Sequence, residues 1–364
     1  MGLTGGLLRD NSFRKALSRR KIWGRVSFRS LSAKYGINSS GGLKNLFLKL
    51  ANFRMIIIGD SVIWGQGLLE SNKTYSLVAD FLRAEGTDLN LIINNLAHSG
   101  AIMGSEAQRT ERNNKYGEVP YDFPTIFGQL DFSKENLDAS TDLIILNGGI
   151  NDVGFTSIID PVSDLSEESL RRETRRNCGE KMKQLLKETH VAYPNAQIIV
   201  TGYYNMISIQ SNPLLYLALL SLFSALPPVV SELALPVLYG LTLKRSRVFF
   251  DISQLSIEKA VREVNPEINN QAIFIQGDWG DEHSIFAPKS RLFGFSFDLG
   301  KFDVKEANPL NVILEDDASV ARARLSACMA EQGDLKCPIA CIGHPNIKGA
   351  SRNAELITKV LFPL

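Results

Sequence analysis

A chain of 364 residues, 44% hydrophobic and 22% charged, has material for one large core, or for one domain with sizeable insertions. Four cysteines in that length exclude a disulfide framework, and no aromatic-and-basic motif recurs in the body to support nucleic-acid binding. The net charge of +1 hides a split: twelve of the 40 Lys and Arg residues but only one of the 39 acids, Asp10, fall in residues 1–54, so the remainder is net negative.

Residues 1–53 read as a basic arm. They lack the apolar core and small-residue cleavage site of a secretory signal. Rotated at about 100° per residue, Phe13, Leu17, Ile22, Trp23, Val26, Phe28 and Leu31 scatter over two faces instead of forming one stripe. Three readings stay open: a disordered arm, a contact with an anionic membrane or partner, and an organelle transit sequence. The default location is cytoplasmic, with membrane association and organelle import kept as alternatives.

From residue 54 to 364, apolar runs alternate with helical patterns in the order of a parallel sheet with crossover helices. The predicted strands are MIIIG from Met55, LIINNLA (91–97), DLIILNG (142–148), AQIIVTG (196–202) and AIFIQG (272–277). Most are continuously apolar, as suits strands covered on both faces. Helices are predicted over about 74–85, 167–192 (stopped by Pro194) and 347–360. The fold class is therefore α/β, a three-layer α/β/α sandwich with a parallel sheet and no internal repeat.

Two insertions interrupt the pattern. Residues 105–140 are polar, contain Pro120 and Pro124, and are expected to form a loop lying over one end of the sheet. Residues 213–243 carry one charge, Glu232, and are followed by Lys244, Arg245 and Arg247. The uninterrupted apolar run before Pro227 is too short to span a bilayer. This segment is either a pair of helices buried against the core or an apolar cap that supplies an acyl pocket or touches lipid, with the three cations facing phosphates.

Of the cysteines, Cys178, Cys328, Cys337 and Cys341, the spacing from Cys328 to Cys341 matches no zinc pattern, and reduced thiols are the default. A Cys328–Cys337 bridge stays open.

Ligands of open parallel sheets bind beyond the carboxyl ends of the strands, so chemistry belongs directly after each apolar run. Gly59-Asp60-Ser61 follows the first run, His98-Ser99-Gly100 the second, and Gly148-Gly149-Ile150-Asn151-Asp152 the third; His344-Pro345 precedes the last helix. Each is a weak signal alone. In this order and placement, the chain resembles the SGNH hydrolases, the GDSL esterase and lipase superfamily, over about residues 54–360. The Gly-x-Ser-x-Gly elbow of the α/β-hydrolases is absent.

The resemblance implies a flavodoxin-like sheet, Ser61 as nucleophile, and His344 as its base. It also implies an oxyanion hole from the Ser61 and Gly100 amides and the Asn151 side chain, with no metal or organic cofactor. The implied reaction is cleavage of a carboxylic ester of a small molecule or lipid through an acyl-enzyme. Transfer of the acyl group to a sugar or lipid alcohol is the enzymatic alternative, and a non-catalytic membrane-associated binding protein the other. One position departs from the family, which carries Asp three residues before the histidine where this chain has Cys341. Either a backbone carbonyl orients His344, giving a dyad, or a carboxylate arrives from elsewhere, with Asp281 or Glu282 the nearest candidates. A dyad histidine is expected to titrate near an unperturbed imidazole. His98 and His283 are expected as hydrogen-bonded structural histidines with a lining role as the alternative, and His190 as a favourable charge at a helix C-terminus.

Overall fold

The computed structural model describes residues 52–85, 90–104, 118, 125–223, 234–297, 312–314, 316–331 and 339–362, all within one compact unit, Asn52–Leu364. The basic arm lies outside the described residues except for Asn52 and Phe53, which open the first strand.

Five parallel strands form the sheet: β1 (Asn52–Ile58), β2 (Asn90–Asn95), β3 (Leu143–Leu146), β4 (Gln197–Thr201) and β5 (Ala272–Ile275), in the order β2-β1-β3-β4-β5. These are the five apolar runs of the sequence, and the order is the flavodoxin-like one, with its topological switch between β1 and β3. Register places Met55 beside Leu143 and Ile58 beside Leu146, so the two strands end level. A separate antiparallel pair, β6 (Phe295–Phe297) with β7 (Val312–Leu314), follows.

In chain order, the helices are α1 (Ser61–Trp64), α2 (Thr74–Glu85), α3 (Ile126–Asn136), α4 (Ile150–Val153), α5 (Phe155–Ile159), α6 (Glu167–Arg175), α7 (Lys181–Ala192), α8 (Pro213–Phe223), α9 (Leu235–Val264), α10 (Ala318–Glu331) and α11 (Ile347–Leu361). Strand residues alternate between two cores, as the period of two requires. Ile56, Ile58, Ile144, Leu146, Ile198 and Val200 share one with α3, α7 and α9; Met55, Ile57, Leu143, Ile145 and Ile199 share the other with α2 and α11. The result is three layers.

The predicted helix over 167–192 is one continuous run in which a π turn, Arg176–Glu180, joins α6 to α7. The turn brings Cys178 against Gly149, where a Cβ would lie 2.7 Å from the sulfur; only glycine fits there. Such a bulge has no signature in an apolar periodicity of 3.6.

Two expectations need correction. The stretch 105–140 is not all loop, because the Thr125 hydroxyl accepts from Gly128 N (3.0 Å) and caps α3, whose Ile126, Phe127 and Leu130 enter the core. Most of 105–124 lies outside the described residues. The apolar segment 213–243 is likewise not a discrete insertion. Its second half is the start of α9, a 30-residue helix that continues as the crossover into β5. Tyr216, Leu219 and Leu220 of α8 and Thr242 of α9 are fully buried, while Leu214, Val237 and Leu241 of the same segment are exposed and residues 224–233 lie outside the described residues. No helix among the described residues is long and apolar enough to cross a membrane.

Of the three cations after this segment, Arg245 is withdrawn from the surface, while Lys244 and Arg247 are exposed and paired with acids. Arg245 is buried and donates through Nη1 to the Leu165 carbonyl (2.7 Å) and through Nε to that of Ser157 (2.9 Å); Lys244 pairs with Glu167 and Arg247 with Asp251. Burial lowers the Arg245 guanidinium below its ordinary range. Cys178 and Cys341 are buried free thiols; Cys337 and the Cys328 side chain lie outside the described residues, and their bridge with them.

Candidate active site

The site is built at the switch point, from the chain that follows β1, β2 and β3. After β1, Asp60 is the cap of α1. Its Oδ1 accepts from Val62 N (2.9 Å) and Asn147 Nδ2 (2.9 Å), and its Oδ2 from the Tyr203 hydroxyl (2.7 Å). Burial raises this carboxyl above the usual range, and the three donors oppose that rise. Asp60, not Ser61, therefore does the capping. Ser61 opens the helix with no other task for its hydroxyl, and its amide has no acceptor among the described residues.

The Ser61 Oγ lies 2.7 Å from His344 Nε2, and His344 Nδ1 lies 3.2 Å from the carbonyl oxygen of Cys341. A carbonyl can only accept, so Nδ1 carries the proton and Nε2 is left to accept from the serine hydroxyl. The loop holding the ring is fixed on three sides: Phe293 N donates to His344 O (2.8 Å), Gly343 N to Phe293 O (2.9 Å), and the Tyr204 hydroxyl to Gly343 O (2.7 Å).

Desolvation pushes the His344 imidazole down to about 4, and the Arg324 guanidinium adds to that; the Cys341 carbonyl opposes it. This differs from the unperturbed imidazole expected from sequence. The reason is a ring set into an apolar wall with a cation behind it. That cation forms a buried ion pair with Asp316 (2.8 Å), on the chain leading into α10. Asp316 acts on Cys341, whose thiol is raised by burial first and by that carboxylate second. At the position where the family has its acid, the side chain thus turns into the protein and the backbone serves the histidine.

After β2, Gly100 sits at φ +80° in a turn from His98 to Ala101, and its amide has no acceptor among the described residues. After β3, Asn151 in α4 donates through Nδ2 to Ala101 O (3.0 Å), which ties the two strand ends together and leaves its second amide hydrogen uncommitted by that bond. Ser61, Gly100, Asn151 and His344 line one cavity of about 390 Å³, with Gln66 and Ser99 beside them. Its other walls are mostly apolar, with Ile150, Phe155, Met206, Ile339 and Ile342 beside Thr156 and Tyr204.

The structure does not bring Asp281 to His344. Its Oδ1 accepts from Asn205 Nδ2 (3.2 Å) and stands 3.9 Å from Arg247, and its carbonyl accepts from the Ser208 hydroxyl (2.6 Å). Neighbouring Glu282 faces His283 at 3.7 Å. Among the other histidines, His98 Nδ1 meets Glu118 (3.2 Å), His283 Nδ1 accepts from Gly280 N (3.2 Å), and His190, in the last turn of α7, meets Gln271. None lines the cavity. Sequence reasoning missed Glu118, Asp316 and Arg324, single charges in irregular or weakly patterned stretches with no motif around them. No group of metal-ligating side chains stands together among the described residues.

No family model and no curated protein matches the chain. It is similar to solved lipase and esterase structures. The phospholipase A1 of Streptomyces albidoflavus NA297 superposes with a TM-score of 0.45 at 13% identity, over 84% of this chain and 98% of that one. The extracellular lipase of Streptomyces rimosus gives 0.44 at 15%, over 84% and 99%. A carbohydrate esterase family 2 enzyme of Corynascus thermopiles (Myceliophthora fergusii) gives 0.38 at 13%, over 85% and 65%. The fold stands on the sheet order itself.

Proposed function

We propose that the chain is a serine hydrolase that cleaves a carboxylic ester through an acyl-enzyme on Ser61. The observation that carries this reading is the 2.7 Å contact between Ser61 Oγ and His344 Nε2, in a tautomer fixed by the Cys341 carbonyl, beside two backbone amides with no acceptor among the described residues. As Ser61 attacks the ester carbonyl, His344 takes its proton. The Ser61 and Gly100 amides and the Asn151 side chain receive the developing oxyanion, and His344 returns the proton to the departing alkoxide. Water resolves the acyl-enzyme by the same steps.

The base works as a dyad. Among the described residues no carboxylate reaches the ring to stabilise the imidazolium of the transition state, which makes His344 a weaker base than a triad histidine but keeps it neutral over a wider pH range. The apolar walls favour an acyl chain of more than two carbons. A fluorophosphonate probe tests the reaction: it should label the protein at Ser61 and fail on Ser61→Ala, and an unlabelled wild type would refute the proposal. An ester panel graded by acyl length then tests the walls, and a preference for acetyl esters would count against an acyl site.

A further inference from the structure

We infer that Glu118 is a positioning residue for the oxyanion hole, holding the turn that aims the Gly100 amide at the nucleophile; this rests on the hydrolase reading above. The turn runs from His98 to Ala101, closed by Ala101 N donating to His98 O (3.3 Å) and anchored to the nucleophile strand by His98 N donating to Gly59 O (3.0 Å). Gly100 is its third residue, and φ +80° there is the mark of a type II turn. Types I and II differ by a flip of the central peptide, here Ser99–Gly100. That flip would turn the Gly100 N–H away from the cavity and present the Ser99 carbonyl, which repels an oxyanion. The turn type therefore decides whether a donor or an acceptor faces the substrate.

Ser99 is gripped on two sides. Its amide donates to Glu118 Oε1 (2.6 Å), its hydroxyl bonds Gln66 Oε1 (2.5 Å), and Gln66 Nε2 donates to the Glu118 carbonyl (3.2 Å), closing a frame around the residue. The same Glu118 oxygen faces His98 Nδ1 at 3.2 Å. Glu118 is 2% exposed, and its second carboxylate oxygen meets no donor among the described residues. One carboxylate oxygen of Glu118 thus meets both the first residue of this turn, at the His98 ring, and the second, at the Ser99 amide. Removing the acceptor leaves the buried Ser99 N–H without a partner, and the turn must then rearrange to satisfy it.

The experiment compares Glu118→Leu, which removes the acceptor, with Glu118→Gln, which keeps one. Two quantities are read: the rate constant for fluorophosphonate labelling at Ser61, and kcat and KM on a p-nitrophenyl ester. Glu118→Leu should lose about tenfold or more in labelling rate and in kcat, with KM within about twofold, because the oxyanion hole is used in the transition state. Glu118→Gln should recover most of that loss. A wild-type labelling rate in Glu118→Leu, a loss confined to KM, or a Gln variant as impaired as Leu would overturn the inference. If Glu118→Leu does not fold, Ser99→Ala, which breaks the frame at its hydroxyl, carries the test: a reduced kcat at constant KM supports the inference and an unchanged kcat overturns it. A wild type that is not labelled at all refutes the hydrolase reading and this inference with it, whereas a labelled wild type confines any failure to Glu118.

Discussion

Lowering the pH puts the proposed Ser61–His344 dyad to its sharpest test. His344 must be neutral to accept the serine proton, and its environment pushes it from the ordinary 6.5 down to about 4, through desolvation first and the Arg324 charge after. The groups acting on the ring are the Ser61 hydroxyl from α1, the backbone of Cys341, Ile342 and Ala340 in its own loop, which opposes the shift, and Arg324 from α10; none of the largest influences is a carboxylate. At pH 5 a base of that strength is still about nine-tenths neutral, whereas an unperturbed imidazole would be roughly 3% neutral. The ratio of kcat/KM at pH 5 to that at pH 8 is therefore expected near 0.9 for the structure described here, against about 0.03 for an unshifted histidine. The same shift bears on stability, with a definite sign. A histidine depressed in the folded state stabilises fully above the unfolded value and loses that contribution as pH falls from 6.5 towards 4. The loss reaches at most about 2 kcal/mol at pH 5, so circular dichroism must confirm that the protein is still folded there. The assay is kcat/KM on a soluble ester from pH 4 to 8, with Ser61→Ala as blank. An inflection at or above 6.5 in a folded protein would refute the argument and point to an undetected acid beside the ring.

Three further outcomes are expected. Asn151→Ala should lower kcat by about a hundredfold while changing KM little, as loss of an oxyanion donor does; unchanged kcat would remove Asn151 from the site. Cys341→Asp places a second buried carboxylate beside Asp316 and should lower the melting temperature, whereas Cys341→Asp with Asp316→Asn relieves that repulsion and should move the kcat/KM inflection upward by about one unit or more. A folded double variant with an unmoved inflection would show that a carboxylate at 341 cannot reach the ring. Arg245→Met strands the Ser157 and Leu165 carbonyls and should cost about 3 kcal/mol in urea unfolding; a change under about 1 kcal/mol would show that water or other donors satisfy them.

The sheet was legible because burial on both faces leaves unmistakable apolar runs, each ending where the chain turns out towards solvent. Ser61, Gly100 and Asn151, which line the candidate site, stood out for the same reason, as neighbours of recognisable runs, whereas His344 was marked by its place just before the last helix. What escaped is held by contacts without local pattern. Glu118 is one acid in a polar stretch, and only its own contact with the turn after β2 gives it a partner. The carbonyl of Cys341 is common to every residue type, so no side chain announces it. The crossover helix α9 was hidden because its first turns are as apolar as a separate insertion would be, and its amphipathic part begins only after Arg245. The polar α3 carried too few apolar positions to stand out beside Pro120 and Pro124.

The span between Ser61 and His344 has a consequence for how the protein comes into being. Emerging from the ribosome at roughly 5–20 residues per second, the serine precedes its histidine by tens of seconds. Throughout that interval the serine lacks the base that the proposed mechanism assigns to it. The pairing waits for α11 to settle against α2, an association marked by the Thr74 hydroxyl donating to the Ala350 carbonyl (3.4 Å). Appearance of probe-reactive serine during synthesis should therefore report completion of the fold, lagging well behind formation of the sheet itself.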